Sequence, residues 1–151
     1  MKPRILVVDD EESIREFLQI MLKKEGYDVT LAEDGQVGMD LFKKKSFDLV
    51  ISDMQMPNKT GIELLKEVMQ FDPSMTFMMI TAFGTAETAV EAMKIGAYDY
   101  ITKPFKIDEV RINIANALRS KNLEVENRQL KKVLKEEYSF QSLVGLSLIH
   151  I

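Results

Sequence analysis

The chain has 151 residues, 46% hydrophobic and 29% charged, enough for one globular domain of ordinary size plus an appendage. A net charge of −4 offers no basic footprint for nucleic acid, the lack of cysteine excludes disulfides and thiolate metal sites, and His150 as the single histidine excludes histidine chemistry from the main domain. No run approaches the roughly 18 apolar residues of a membrane span, and the N-terminus lacks a signal peptide, so a cytoplasmic protein with no membrane partner is expected.

The predicted elements alternate. "RILVVDD" is an unbroken apolar run that ends in acids, as suits a strand buried on both faces. Ile14, Phe17, Leu18, Met21 and Leu22 then recur at helical spacing until Gly26. Glu11 and Glu12 belong to that helix's first turn, where acids favour the dipole. "YDVTLAED" is a weaker strand, and Asp34 is placed to cap a helix that carries Val37, Leu41 and Phe42 inward. "FDLVISD" is a second buried strand ending in an acid, Asp53, and "MQMPNKTG" is a loop by its Pro, Asn and Gly. Ile62, Leu65, Val68 and Met69 mark a third helix, and "MTFMMITA" another buried strand. Ala86, Ala89, Val90 and Met93 line a small-residue helix that Gly96 ends. "YDYITKPF" is a fifth strand running into Lys103-Pro104, and from Ile107 the pattern is helical again. The ten methionines fall on apolar strand and helix positions and read as core filler.

Five strands alternating with five helices predict an α/β fold with a doubly wound, five-stranded parallel sheet. Such sheets bind ligands outside the carboxyl ends of their strands. Those ends here carry Asp9 and Asp10, then Asp53, Thr81 and Lys103. Three carboxylates, a hydroxyl and an ammonium should therefore meet on one rim, where the acids cannot all stay ionised without a counter-charge.

The pattern resembles the receiver domain of two-component response regulators over about residues 3–120. The resemblance rests on "VVDDE", "SDMQMPNKTG", "MITAFG" and "YITKPF". It implies the flavodoxin-like strand order 2-1-3-4-5. It also implies a Mg²⁺ ion held by Asp9, Asp10, Asp53 and the backbone carbonyl of Gln55, in keeping with that ion's preference for a few carboxylates, water and phosphate oxygens. Asp53 would be the nucleophile that becomes an aspartyl phosphate, with Lys103 neutralising the transferred group and Thr81 donating to it. A sensor histidine kinase would be the phosphodonor. The family further implies a cis bond before Pro104, and coupling of Thr81 to an aromatic on the fifth strand, here Tyr100, which reshapes the face formed by roughly residues 85–118.

Two other classes share parts of this pattern. Phosphatases of the haloacid-dehalogenase type also use an aspartate nucleophile and Mg²⁺, but need a second aspartate where this chain has Gln55. A flavodoxin-like flavin binder needs a phosphate-cradling first loop, and "DDEE" would repel that phosphate. The fragment is accordingly expected to be a switch, not a turnover enzyme.

Beyond residue 106, "KIDEVRINIANALRSKNLEVENRQLKKVLKEE" lacks Pro and Gly. It would make one rod of roughly 45 Å at about 1.5 Å per residue. Leu123, Asn127, Leu130 and Leu134 fit d-a-d-a heptad positions, a seam for a homodimer, with an Asn at a setting register. The tail "YSFQSLVGLS" resembles the segment that opens the AAA+ domain of sigma-54-dependent activators of the nitrogen-regulation class. The expected organisation is a receiver domain over 1–120, a coiled-coil linker over 121–138, and the start of an AAA+ domain over 139–151. The final "LIHI" does not continue that pattern. No Walker motif is present, so this stretch is not expected to bind ATP.

Overall fold

The computed structural model describes residues 2–82 and 84–119, and one compact unit ends at Leu118. The strands are β1 (Arg4–Val8), β2 (Asp28–Ala32), β3 (Leu49–Ser52), β4 (Phe77–Thr81) and β5 (Asp99–Thr102). Between them lie α1 (Glu12–Lys24), α2 (Gly35–Lys44), α3 (Gly61–Phe71) and α4 (Ala86–Ile95). A fifth helix, α5, runs from 107 to the last described residue, 119. The sheet is wholly parallel in the order β2-β1-β3-β4-β5. The alternation of elements and the strand order are as the sequence implies.

Strand residues alternate between two cores because successive side chains point to opposite faces. Leu6, Val8, Val50, Phe77 and Met79 meet Met39 and Phe42 of α2, Leu64, Leu65 and Val68 of α3, and Ala92 of α4. Ile5, Val7, Leu49, Ile51, Met78, Ile80 and Ile101 meet Leu18, Met21 and Leu22 of α1, and Val110, Ile114, Ala117 and Leu118 of α5. This two-sided burial explains why β1, β3 and β4 read as continuous apolar runs. The weaker β2 is an edge strand, where only Ala32 is fully buried.

Local chemistry ends and starts the helices. Asp34 accepts the Val37 amide and caps α2, as its position predicted. Thr60 with Glu63, and Thr85 with Thr88, form reciprocal capping boxes for α3 and α4. Gly96 closes α4 with φ +137°, a backbone conformation glycine reaches without strain.

Two expectations need correction. In α4 only Ala92 is buried, while Val90 and Met93 stand 52% and 47% exposed. Met93 is therefore not core filler. In α1, Leu18, Met21 and Leu22 are buried and Ile14 packs partly buried against that core, but Phe17 is 36% exposed. The predicted linker over 121–138, its seam of Leu123, Asn127, Leu130 and Leu134, and the segment 139–151 lie outside the described residues.

Candidate functional site

The strand order reverses between β1 and β3, so the crevice at their carboxyl ends is open to ligands. β1 delivers Asp9 to that crevice and β3 delivers Asp53. The two ends are tied together: the Asp53 amide donates to the Val8 carbonyl at 2.9 Å, and the Asp9 amide to the Ala32 carbonyl at 3.1 Å. Asp9 and Asp53 are 3% and 4% exposed, while Asp10 faces solvent. One carboxylate oxygen from each of the three can lie within 4.8 Å of the others.

β5 brings the counter-charge. The Lys103 amide donates to the Thr81 carbonyl at 2.8 Å, which locks the end of β5 to β4. The Lys103-Pro104 bond is cis, as the resemblance implies. Lys103 Nζ lies 3.1 Å from Asp9 Oδ2 and 3.8 Å from Asp53 Oδ2. The Thr81 side chain is fully buried and its hydroxyl hydrogen-bonds the Asp53 carboxylate. Asp53 Oδ1 also accepts the Met54 amide at 2.8 Å, and Asp9 Oδ1 the Glu11 amide at 2.9 Å.

These bonds do not fully replace lost hydration. Burial pushes the Asp53 carboxyl above its usual range, with the Asp9 charge adding to the shift and Lys103, the Met54 amide and Thr81 opposing it. Burial likewise raises Asp9, against the Glu11 amide and Lys103. One ammonium thus stands between two buried carboxylates with a third at the rim. A small divalent cation would supply the missing charge, and the donor set, all hard carboxylate oxygen, fits a hard cation.

Sequence reasoning brings Asp9, Asp10, Asp53, Thr81 and Lys103 to one place, and the structure puts them there. Gln55 sits exposed in the loop two residues beyond Asp53. Tyr100 is not in this cluster. It is half-buried, and its hydroxyl lies 3.1 Å from Thr88 Oγ1 on α4. Its ring packs so near Gly84 that a Cβ there would lie 2.6 Å from the hydroxyl. Arg15 went unnoticed in the sequence: its Nη1 donates to the Asp9 carbonyl at 2.7 Å and fixes the turn that carries Asp10. A basic residue within two turns of an acidic helix start was the available signal.

The family described as the response regulator receiver domain matches residues 5–126. This chain belongs to that family. The receiver is 43% identical over 114 residues to the transcriptional regulatory protein ZraR of Klebsiella oxytoca, covering 76% of this chain and 26% of that protein. It resembles the crystal structure of NtrX from Brucella abortus with a TM-score of 0.81 at 35% identity, over 86% of this chain and 30% of the other. It also resembles the solution structure of the beryllofluoride-activated NtrC4 receiver domain dimer, with a TM-score of 0.75 at 33% identity, over 78% of this chain and 98% of that one. The receiver spans between 26% and 30% of the length of the curated relatives first matched. Among the described residues no helix is long and apolar enough to cross a membrane.

Proposed function

We propose that this receiver takes a phosphoryl group onto Asp53 from a sensor histidine kinase. The observation that carries the reading is Asp53 itself: a buried carboxylate with Lys103 Nζ at 3.8 Å, the Thr81 hydroxyl on it, and oxygens of Asp9 and Asp10 beside it. Asp9, Asp10, Asp53 and the Gln55 carbonyl hold Mg²⁺, which when bound neutralises charge on the phosphoryl oxygens. An Asp53 carboxylate oxygen attacks phosphorus, the bond from phosphorus to the donor's nitrogen or oxygen breaks, and the donor keeps that electron pair. Lys103 balances the equatorial charge. Thr81 releases the carboxylate and donates to a phosphoryl oxygen instead.

Thr81 then draws Tyr100 inward, away from Thr88, and the face of α4, β5 and α5 changes shape. The readout is control of a downstream sigma-54-dependent AAA+ ATPase module in a longer chain. Residues 1–120 are the receiver, 121–138 a linker helix, and 139–151 the start of that module. The linker pairs two chains through Leu123, Leu130 and Leu134, with Asn127 fixing register. The location is the cytoplasm, and the fragment itself neither turns over substrate nor binds nucleic acid.

Acetyl phosphate with Mg²⁺ tests the chemistry. Mass spectrometry should find one phosphoryl adduct on the wild type and none on Asp53→Asn, because an amide is no nucleophile. A full-stoichiometry adduct on that variant overturns the assignment. Sedimentation tests the linker: truncation after Ser120 should leave a monomer in the absence of beryllofluoride, and a truncated chain that dimerises as tightly as the full one removes the seam.

A further inference from the structure

The loop between β3 and α3 begins at the phospho-acceptor. Met54 donates its amide to Asp53 Oδ1, and its carbonyl accepts the Gly61 amide at 2.8 Å, so residues 54–61 close into a ring. At the tip of that ring Asn58 has φ 68°, one of the few conformations an L-residue adopts with reluctance. The Lys59 amide donates back to the Pro57 carbonyl at 2.7 Å across it, a γ-turn of the positive-φ kind, which is rare and strained. Strain of this sort persists only where surroundings over-determine it.

The surroundings here are the N-terminus of α2. Asn58 Nδ2 donates to Asp34 Oδ2 at 3.1 Å. The other oxygen of the same carboxylate accepts the Val37 amide at 2.9 Å. One buried carboxylate therefore holds a helix with one hand and the loop tip with the other. Gly35, next in sequence, lets the loop come close: a Cβ there would overlap the Lys59 carbonyl and Cβ. Neither residue touches the acid cluster, and capping alone would not require Asp34 to reach residue 58.

We propose that Asp34 and Asn58 form a latch that positions the acceptor loop, and that they act as positioning residues for the metal and phosphoryl site. The proposal rests on the reading of Asp10, Asp53 and the Gln55 carbonyl as ligands. The loop ring carries Gln55, and its amide at Met54 orients Asp53. Metal affinity responds strongly to groups that hold ligands in place, typically by tenfold or more. The latch thus converts the orientation of α2 into the geometry of a site that α2 does not enter.

Four variants separate the latch from the cap and from the strain. Asp34→Ser keeps a good capping oxygen but is too short to reach Asn58. Asn58→Gly keeps the positive φ without strain and loses the clamp. Asp34→Asn restores the bond with both amides turned, its Nδ2 donating to Asn58 Oδ1 while its oxygen still caps. The fourth combines Asp34→Ser with Asn58→Gly. Mg²⁺ is titrated at a temperature well below unfolding and followed by backbone amide shifts. Hydrogen exchange at Lys59 and Gly61 is measured in the metal-free proteins.

Asp34→Ser and Asn58→Gly should each weaken Mg²⁺ binding about tenfold and speed metal-free exchange at both amides. The double variant should be no weaker than the worse single one, since both break one contact. Asp34→Asn should bind within about twofold of wild type, as a restored bond predicts. Unchanged affinity in the two single variants, or losses that simply add in the double, overturns the latch. Asp10→Ala serves as reference: if it loses Mg²⁺ while the latch variants do not, the latch alone falls. If Asp10→Ala binds normally, the ligand assignment falls and the latch with it.

Discussion

Two aspartates, 19 residues apart and each less than a tenth exposed, show opposite behaviour. Asp34 is 9% exposed and Asp53 4%. The carboxyl of Asp34 is held below its usual range, chiefly by the Val37 amide, with Asn58 adding to the effect and burial opposing it. That of Asp53 is pushed above its usual range, chiefly by burial and then by Asp9. Burial alone does not decide the outcome. Asp34 has a helix N-terminus and a neutral amide as partners and no second acid against it. Asp53 has good donors too, but shares its ammonium with another buried carboxylate. The first arrangement is complete as it stands and belongs to the scaffold. The second is left short of positive charge, the shortage that the proposed cation and phosphoryl group would answer.

The sharpest way to break the comparison is to remove the shared cation. Lys103→Met leaves Asp9 and Asp53 facing each other with no ammonium between them. Loss of one partner of a buried pair costs about 3 kcal/mol. Unfolding by urea at neutral pH should show a loss of that order in metal-free protein, and acetyl phosphate should label the variant far more slowly than wild type. The deficit should shrink as pH falls, because a protonated carboxyl no longer needs the ammonium. A variant with wild-type stability across the whole pH range would show that the buried acids are balanced by something other than Lys103.

Removal of an acid should act in the other direction. Asp10→Ala relieves like-charge crowding at the rim and leaves the core untouched, so its thermal midpoint in EDTA should equal or exceed that of wild type. Mg²⁺ affinity and labelling rate should fall together. Asp53→Asn in the same metal-free buffer carries the pH signature. A carboxyl raised in the folded state stabilises fully below the unfolded value of 3.8, and that stability is lost as pH rises through the folded value. The variant should therefore exceed wild type most at neutral pH, with the gap closing toward pH 3.8. A drop of several degrees in either variant would assign these acids to the scaffold alongside Asp34.

The rim was legible because each strand announces its own end. An apolar run that stops at a polar residue is a local signal, and a parallel sheet stacks those stops on one edge. Asp9, Asp53, Thr81 and Lys103 needed nothing more. The small-residue helix α4 was less legible because its buried contact is an alanine, Ala92, which carries little periodic signal, while the larger Val90 and Met93 stand outward. The cap at Asp34 was visible as an acid before an apolar period. Its bond to Asn58 was not, since a side-chain contact across 24 residues depends on how α2 and the β3–α3 loop approach, and no period in the sequence records that. Glycine at 35, directly after the cap, permits that approach but reads as an ordinary helix start.

The smallest effect tests the scaffold side. Asp34→Ala removes the cap and the loop contact together and should cost about 1 kcal/mol at neutral pH, the usual value for a lost N-cap. The carboxyl is depressed in the folded state, so its contribution is present above the unfolded value of 3.8 and is lost as pH falls through the folded value. Wild type and Asp34→Ala should therefore differ most at neutral pH and converge in acid. In metal-free protein the same titration gives opposite signs for two substitutions of buried aspartate: Asp53→Asn lies above wild type at neutral pH and Asp34→Ala below it. Both differences close on acidification because the proton removes, in one case, a buried charge whose donors do not offset burial and the neighbouring Asp9, and in the other a charge whose partners do. If Asp34→Ala keeps its full deficit down to the lowest pH at which the protein folds, the side chain acts through packing against the loop and not as an ionised cap.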